Sequence, residues 1–223
     1  MPRMSPSSPP PSPSPSPSPA RQPSPSPSSR PYHHGDLRAA LLKSAERTLR
    51  EKGAGALSLR ELARDIGVSH AAPGRHFKDK RALLDALALD GYERLNQALA
   101  RAAEQPGLTF EGRLTALARA YLGFAVENPE LLELMFARKH HPDSSAQLVS
   151  AVDESLGSIT RLIADAQERG EIVQGDPERI TTIAAASLHG LAALIASCAL
   201  EPDEALAGLD EHVHLLLHGL KPR

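Results

Sequence analysis

Three sets of residues have types and spacings that bear on chemistry. The first is VSHAAPGRHFKDK, Val68 to Lys80. It combines a helix-capping serine with Arg75, His76, Lys78 and Lys80, groups that suit a polyanion. The second is the ten histidines. His33-His34 and His140-His141 are adjacent and do not share a helix face. His214 and His218 are four apart and offer two metal ligands, but no third ligand follows from the sequence, so no metal site is expected. The third is a run of possible pocket residues, Tyr121, Phe124, Met135, Phe136 and His189. These also suit a helical core, so core packing and ligand contact both stay open for them.

Several kinds of chemistry find no support. There is no G-x-S-x-G elbow, no phosphate-binding glycine loop and no nucleophile–base–orienter set. The single cysteine, Cys198, excludes a disulfide framework and a cysteine-based metal motif. An enzyme is not expected, nor a cofactor. No uninterrupted apolar run approaches the ~18 residues of a membrane span, and the first residues lack the apolar core of a signal peptide. The expectation is a soluble, cytoplasmic protein without a membrane partner.

The elements that must position these residues are helical. Residues 1–29 hold 12 Pro and 11 Ser. They cannot bury enough apolar surface to offset their ordering entropy, so a disordered tail is expected. Beyond it, prolines 31, 106, 129, 142, 177 and 202 stand at plausible helix boundaries. Leu37, Leu41, Ala45 and Leu49 share one face of a first helix that stops at Gly53. Ser58 and Glu61 match a capping box. Ser69 is placed to open a short helix after a turn at Gly67. Asp79 caps a long helix reaching Ala103. Further helices open at Thr109, Asn128-Pro129, Asp143, Asp176-Pro177 and Pro202, the last reaching His218. No alternating strand pattern occurs. The expected fold is all-α, with about nine helices.

Charge divides the chain. Residues 30–81 carry 12 Lys/Arg against 6 Asp/Glu, and residues 82–223 carry 11 against 21. A basic unit joined to an acidic one directs a polyanion to the first part only. Within that basic part, LSLRELARDIGV, a glycine turn and the segment from Ser69 form a helix-turn-helix pattern. The expected organisation is a tail at 1–29, a DNA-binding domain at 30–78 and a helical domain at 79–223.

The stretch from Tyr32 to Leu87 resembles the DNA-binding domain of TetR-family transcriptional regulators in helix lengths, turn and its R-H-F-x-x-K-x-x-L-L tail. NPELLELMF and SLHGLAALI resemble the regulatory domain of the subgroup with a W-x-x-x-H-G motif, although Ala185 stands where that motif has Trp. The resemblance implies a homodimer that binds pseudo-palindromic operator DNA as a repressor and releases it when a small molecule occupies the C-terminal domain. It carries DNA contact onto Ser58, Arg60, Ser69, His70, Ala71, Ala72, Gly74, Arg75, His76 and Lys80. It places the dimer interface on the last two long helices. At Gly74 the family usually has Tyr, with its hydroxyl on a phosphate. A rival expectation follows from that departure, namely a TetR-like small-molecule-binding protein with weakened or lost DNA binding.

Residue-level physics agrees with the DNA reading. A helix opened by Ser69 would aim free N–H groups and a positive dipole at a phosphate. His70, Ala71 and Ala72 would face base edges, with alanine methyls against thymine. Pro73, as a fourth helical residue, would forgo one hydrogen bond to the Ser69 carbonyl.

Overall fold

The computed structural model describes residues 34–219, and all regular elements among them are helical. The expected tail at 1–29 lies outside the described residues. The α-helices are α1 (His34–Lys52), α2 (Leu59–Asp65), α3 (Lys80–Ala103), α4 (Phe110–Glu127), α5 (Pro129–Lys139), α6 (Ala146–Glu168), α7 (Pro177–Ala196), α8 (Pro202–Ala207) and α9 (Leu209–His218). Single 3₁₀ turns span Ala54–Ala56 and Pro73–Arg75.

The head packs α1, α2 and the start of α3 around Leu41, Ala45, Leu49, Leu57, Leu62, Ala63, Phe77 and Leu83, all buried. The predicted stripe of Leu37, Leu41, Ala45 and Leu49 is the buried face of α1. α2 ends in a Schellman motif. Val68 N–H donates to the Ala63 carbonyl at 2.9 Å and Gly67 N–H to the Arg64 carbonyl at 3.2 Å. The motif needs a left-handed residue, and Gly67 has φ 72°. Ser58 holds the N-cap position of α2, but its side chain makes no capping bond. The expected capping box does not form.

α3 runs unbroken from the head into the body, where it packs on α4, α5 and α6. The Asp79 carboxylate caps it, accepting from Ala82 N–H at 2.9 Å. Gly91 lets α3 and α5 approach closely, since a Cβ there would lie 2.6 Å from Met135 Sδ. Asp85 and Arg138 join the same two helices through a buried bond of 2.6 Å from Arg138 Nε.

Three boundaries differ from expectation. Ser145, not Asp143, caps α6, accepting from Leu148 N–H at 3.2 Å, while Asp143 pairs with Arg81. The last helix is broken at Gly208 into α8 and α9. The segment opened by Ser69 forms no α-helix. Turns at His70 and Ala71 lead into one 3₁₀ turn, because Pro73 cannot donate an N–H to a growing α-helix. Among the described residues the count of nine α-helices thus survives through two offsetting changes.

Averaged over 18 residues, α7 reaches a mean hydropathy of 1.4 and is long and apolar enough to cross a membrane by length and composition alone. Interspersed threonine, serine and histidine hid this from a search for unbroken apolar runs. Its window is only 17% buried, and Ile183 and Leu194 are exposed.

Candidate DNA-binding surface and effector cavity

The head presents one contiguous exposed patch. Ser69, His70, Ala71, Gly74 and Arg75 are exposed, and Ala72 is half-buried. Arg60 is exposed on α2, two positions after half-buried Ser58. Pro73 anchors the patch from beneath. It is fully buried, and its carbonyl accepts from His76 and Phe77 N–H at 2.9 Å each. It stands at the first position of the 3₁₀ turn, where no N–H is needed. The Ser69 carbonyl is satisfied by Ala72 N–H at 3.0 Å, so the bond expected to be lost is replaced by a tighter turn.

Two expected phosphate contacts are placed differently. Lys80 Nζ donates to the Gly55 carbonyl at 2.9 Å, tying α3 to the turn after α1. His76 Nε2 is buried without a hydrogen-bond partner among the described residues. Gly74 is open, because a Cβ there would meet nothing within 4 Å.

A cavity of about 380 Å³ lies between α3, α4, α5, α6 and α7, within the range usual for small-molecule sites. Tyr121, Phe136 and His189 line it, as do Tyr92, Lys139 and a set of Leu, Val, Ile and Ala side chains. Phe124 and Met135 do not. Phe124 is buried beneath Arg94, whose guanidinium lies 5.8 Å from the ring, and Met135 fills the contact at Gly91. The sequence reading missed Tyr92 and Lys139. Tyr92 lies among the buried residues of α3 and Lys139 closes α5 behind Met135 and Phe136, so neither stands out in the sequence.

The polar residues of the cavity are linked. Tyr121 Oη lies 3.0 Å from His189 Nδ1. The imidazole stacks on Phe136, with ring centroids 4.0 Å apart, and Lys139 Nζ sits 4.7 Å from the Phe136 centroid. Burial, with the nearby Lys139 charge second, pushes the His189 pKa below its ordinary value. Burial likewise lowers Lys139 and raises the Tyr92 and Tyr121 phenols.

Elsewhere the structure supplies the third metal-type ligand that the sequence could not. Glu111 on α4 places its oxygens 3.2 Å from His214 Nδ1 and 3.7 Å from His218 Nε2. Ligand atoms of all three lie within 4.8 Å of one another. They form ion pairs whenever the imidazoles are protonated, and they could hold a divalent cation.

Residues 41–87 match the model for bacterial regulatory proteins of the tetR family, and residues 114–220 match that for the tetracyclin repressor-like C-terminal domain. The chain belongs to the TetR family. It is 30% identical to the HTH-type transcriptional regulator Rv1816 of Mycobacterium tuberculosis over 142 residues, 61% of this chain and 59% of that protein. The chain thus spans a little under three fifths of the length of that curated relative. A solved protein of unknown function from Rhodococcus sp. RHA1 is 44% identical, with a TM-score of 0.75, covering 85% of this chain and all of that one. Regulator FadR from Bacillus subtilis, solved with stearoyl-CoA, shares the fold at 13% identity, with a TM-score of 0.69 over 82% of this chain and 99% of its own. TetR-family members are transcriptional regulators and not enzymes. The match over 41–87 runs from within α1 through α2 and the exposed patch into α3, and that over 114–220 begins at Leu114 in the cavity wall.

Proposed function

We propose that this TetR-family protein is a cytoplasmic, nucleoid-associated repressor that binds a pseudo-palindromic operator as a homodimer and lets go when a small molecule fills the cavity enclosed by α3 to α7. The observation that carries this is the continuity of α3. Asp79 caps the helix beside the exposed patch Ser69–Arg75, and Tyr92, Leu95 and Leu99 of the same helix line the cavity. A ligand that moves α3 moves the head. The shift it can produce is limited by its affinity ratio for the two head positions.

The domain division is proposed at Asp79, with the head at 30–78. Dimerisation is assigned to α7 and α9. Both pack on α4 and leave Ile183, Leu194 and Leu215 exposed, an apolar face that a second copy would cover. Two heads would then stand about one DNA turn apart, ~34–36 Å. FadR, with stearoyl-CoA bound, supports a ligand-occupied body in this fold.

One observation favours a weaker head. The recognition segment has one 3₁₀ turn and Gly74 at an open position, so fewer groups are held against phosphate. Selection of bound sites from genomic DNA with the purified chain and with Gly74→Tyr decides between the readings. An enriched palindrome with the unaltered chain establishes the regulator. Enrichment only with Gly74→Tyr indicates a weakened head, and enrichment with neither overturns the proposal.

A further inference from the structure

The cavity holds one full cation and no carboxylate. Among its lining residues Lys139 is the only lysine or arginine, and no Asp or Glu occurs. Lys139 makes no ion pair or hydrogen bond among the described residues, and its recorded neighbour is the Phe136 ring face. An ammonium partly withdrawn from water and left unpaired is costly. That burial lowers its pKa is the same cost seen from the proton's side.

A second polar group is also unsatisfied. The Tyr92 hydroxyl is buried and has no hydrogen-bond partner among the described residues. The Tyr92 side chain lines the same cavity. Tyr121 reaches His189, Phe136 and, beyond that ring, Lys139. Apart from Ser155 and Thr182, the rest of the lining is apolar. Tyr92, Leu95 and Leu99 follow one another along α3, and Tyr121, Leu117 and Leu114 along α4. From Tyr92 to Leu99 is roughly 10 Å of helix. Val152, Leu156 and Ile159 of α6 complete that stretch.

We infer that the effector is an amphipathic carboxylate, its head paired with Lys139 and hydrogen-bonded by Tyr92, its aliphatic or aryl body lying along the Leu95–Leu99 and Leu114–Leu117 walls. The carboxylate supplies the counter-charge that Lys139 lacks and the acceptor that Tyr92 lacks. A neutral ligand would leave the ammonium uncompensated, and a cationic one would add repulsion. This inference rests on reading the cavity as the effector site.

The test is calorimetric titration of the full chain, without DNA, with decanoate, decanol and decylamine, each below its aggregation limit. Decanoate is expected to bind one site per chain, about tenfold or more tighter than decanol, the order set by one charge-assisted bond. Lys139→Met should bring decanoate down to the affinity of decanol, and Lys139→Arg should keep the preference. Tyr92→Phe, which keeps the ring, should weaken decanoate several-fold and leave decanol unchanged. Failure of decanoate to bind, equal binding of decanol or decylamine, or an undiminished preference in Lys139→Met overturns the inference. Operator release is scored separately. Decanoate that binds through Lys139 without releasing DNA upholds the ligand class and overturns the effector reading. Release by decanol, with decanoate inert, does the reverse.

Discussion

The phenol oxygen of Tyr121 lies 3.0 Å from Nδ1 of His189 and so joins α4 to α7 across the cavity. The direction of that hydrogen bond follows the imidazole tautomer. Burial holds the His189 pKa below 6.5, so the folded state keeps the ring neutral where the unfolded chain begins to protonate it. The unfolded state then binds more protons, and stability falls as pH drops from about 6.5 towards the folded pKa, levelling below it. Urea unfolding of wild type and His189→Gln across that range should show a difference that grows as pH rises through the window, with the wild type gaining. A pH-independent difference would contradict this.

Arg138 and Asp85 tie α5 to α3 with side chains only 8% and 12% exposed. Removing one partner leaves a buried charge, which typically costs about 3–5 kcal/mol. Asp85→Ala should therefore lower the urea midpoint sharply at unchanged slope. Asp85→Leu with Arg138→Met, which removes both charges and keeps volume, should recover most of that loss. A double variant as unstable as the single would refute the explanation.

Cys198 is the one non-glycine residue with positive φ among the described residues, at 58°. It closes α7 in a Schellman motif, with Cys198 N–H donating to the Ile195 carbonyl and Ala199 N–H to the Leu194 carbonyl, both at 2.9 Å. The same motif ends α2 at Gly67 and α6 at Gly170, both with positive φ. A left-handed non-glycine residue costs about 1–2 kcal/mol, partly offset by the greater chain entropy of glycine when unfolded. Cys198→Gly should stabilise the fold by about 0.5–1 kcal/mol, read as a higher melting temperature. A lower one would show that the thiol contributes packing that outweighs the strain.

Local signals made most of this architecture legible. Asp79, Thr109 and Asp176 cap the helices predicted from them, because a short polar side chain before an apolar repeat fixes a helix start through bonds to nearby N–H groups. The failures are also local, but competitive. Asp143 and Ser145 are both good caps two residues apart, and the tertiary pairing of Asp143 with Arg81 decides between them. Pro73 tips its segment from α to 3₁₀. The cavity was half visible. Tyr121, Phe136 and His189 stood out as aromatic or polar groups in apolar helices. Lys139 carries no signal in the sequence, because its lack of a carboxylate partner exists only in three dimensions.

The surface patch has a graded expectation. Arg60 and Arg75 are exposed and make no ion pair among the described residues, so each is available to a phosphate. Arg75→Ala should weaken operator and non-operator DNA alike and reduce the salt slope by about 1. Gly74→Tyr adds a hydroxyl at an unobstructed position. One bond to a charged phosphate, about 1.5–3 kcal/mol, should raise affinity by roughly one to two decades.

The most direct measurement is fluorescence anisotropy of a labelled, selected palindrome against its scrambled counterpart, across a salt series, with and without a cavity ligand. The account predicts two chains per palindrome, a clear preference over scrambled DNA, steep loss of affinity with salt and release on ligand addition. Equal affinity for both duplexes at every salt concentration, by a chain that still binds its ligand, would contradict it.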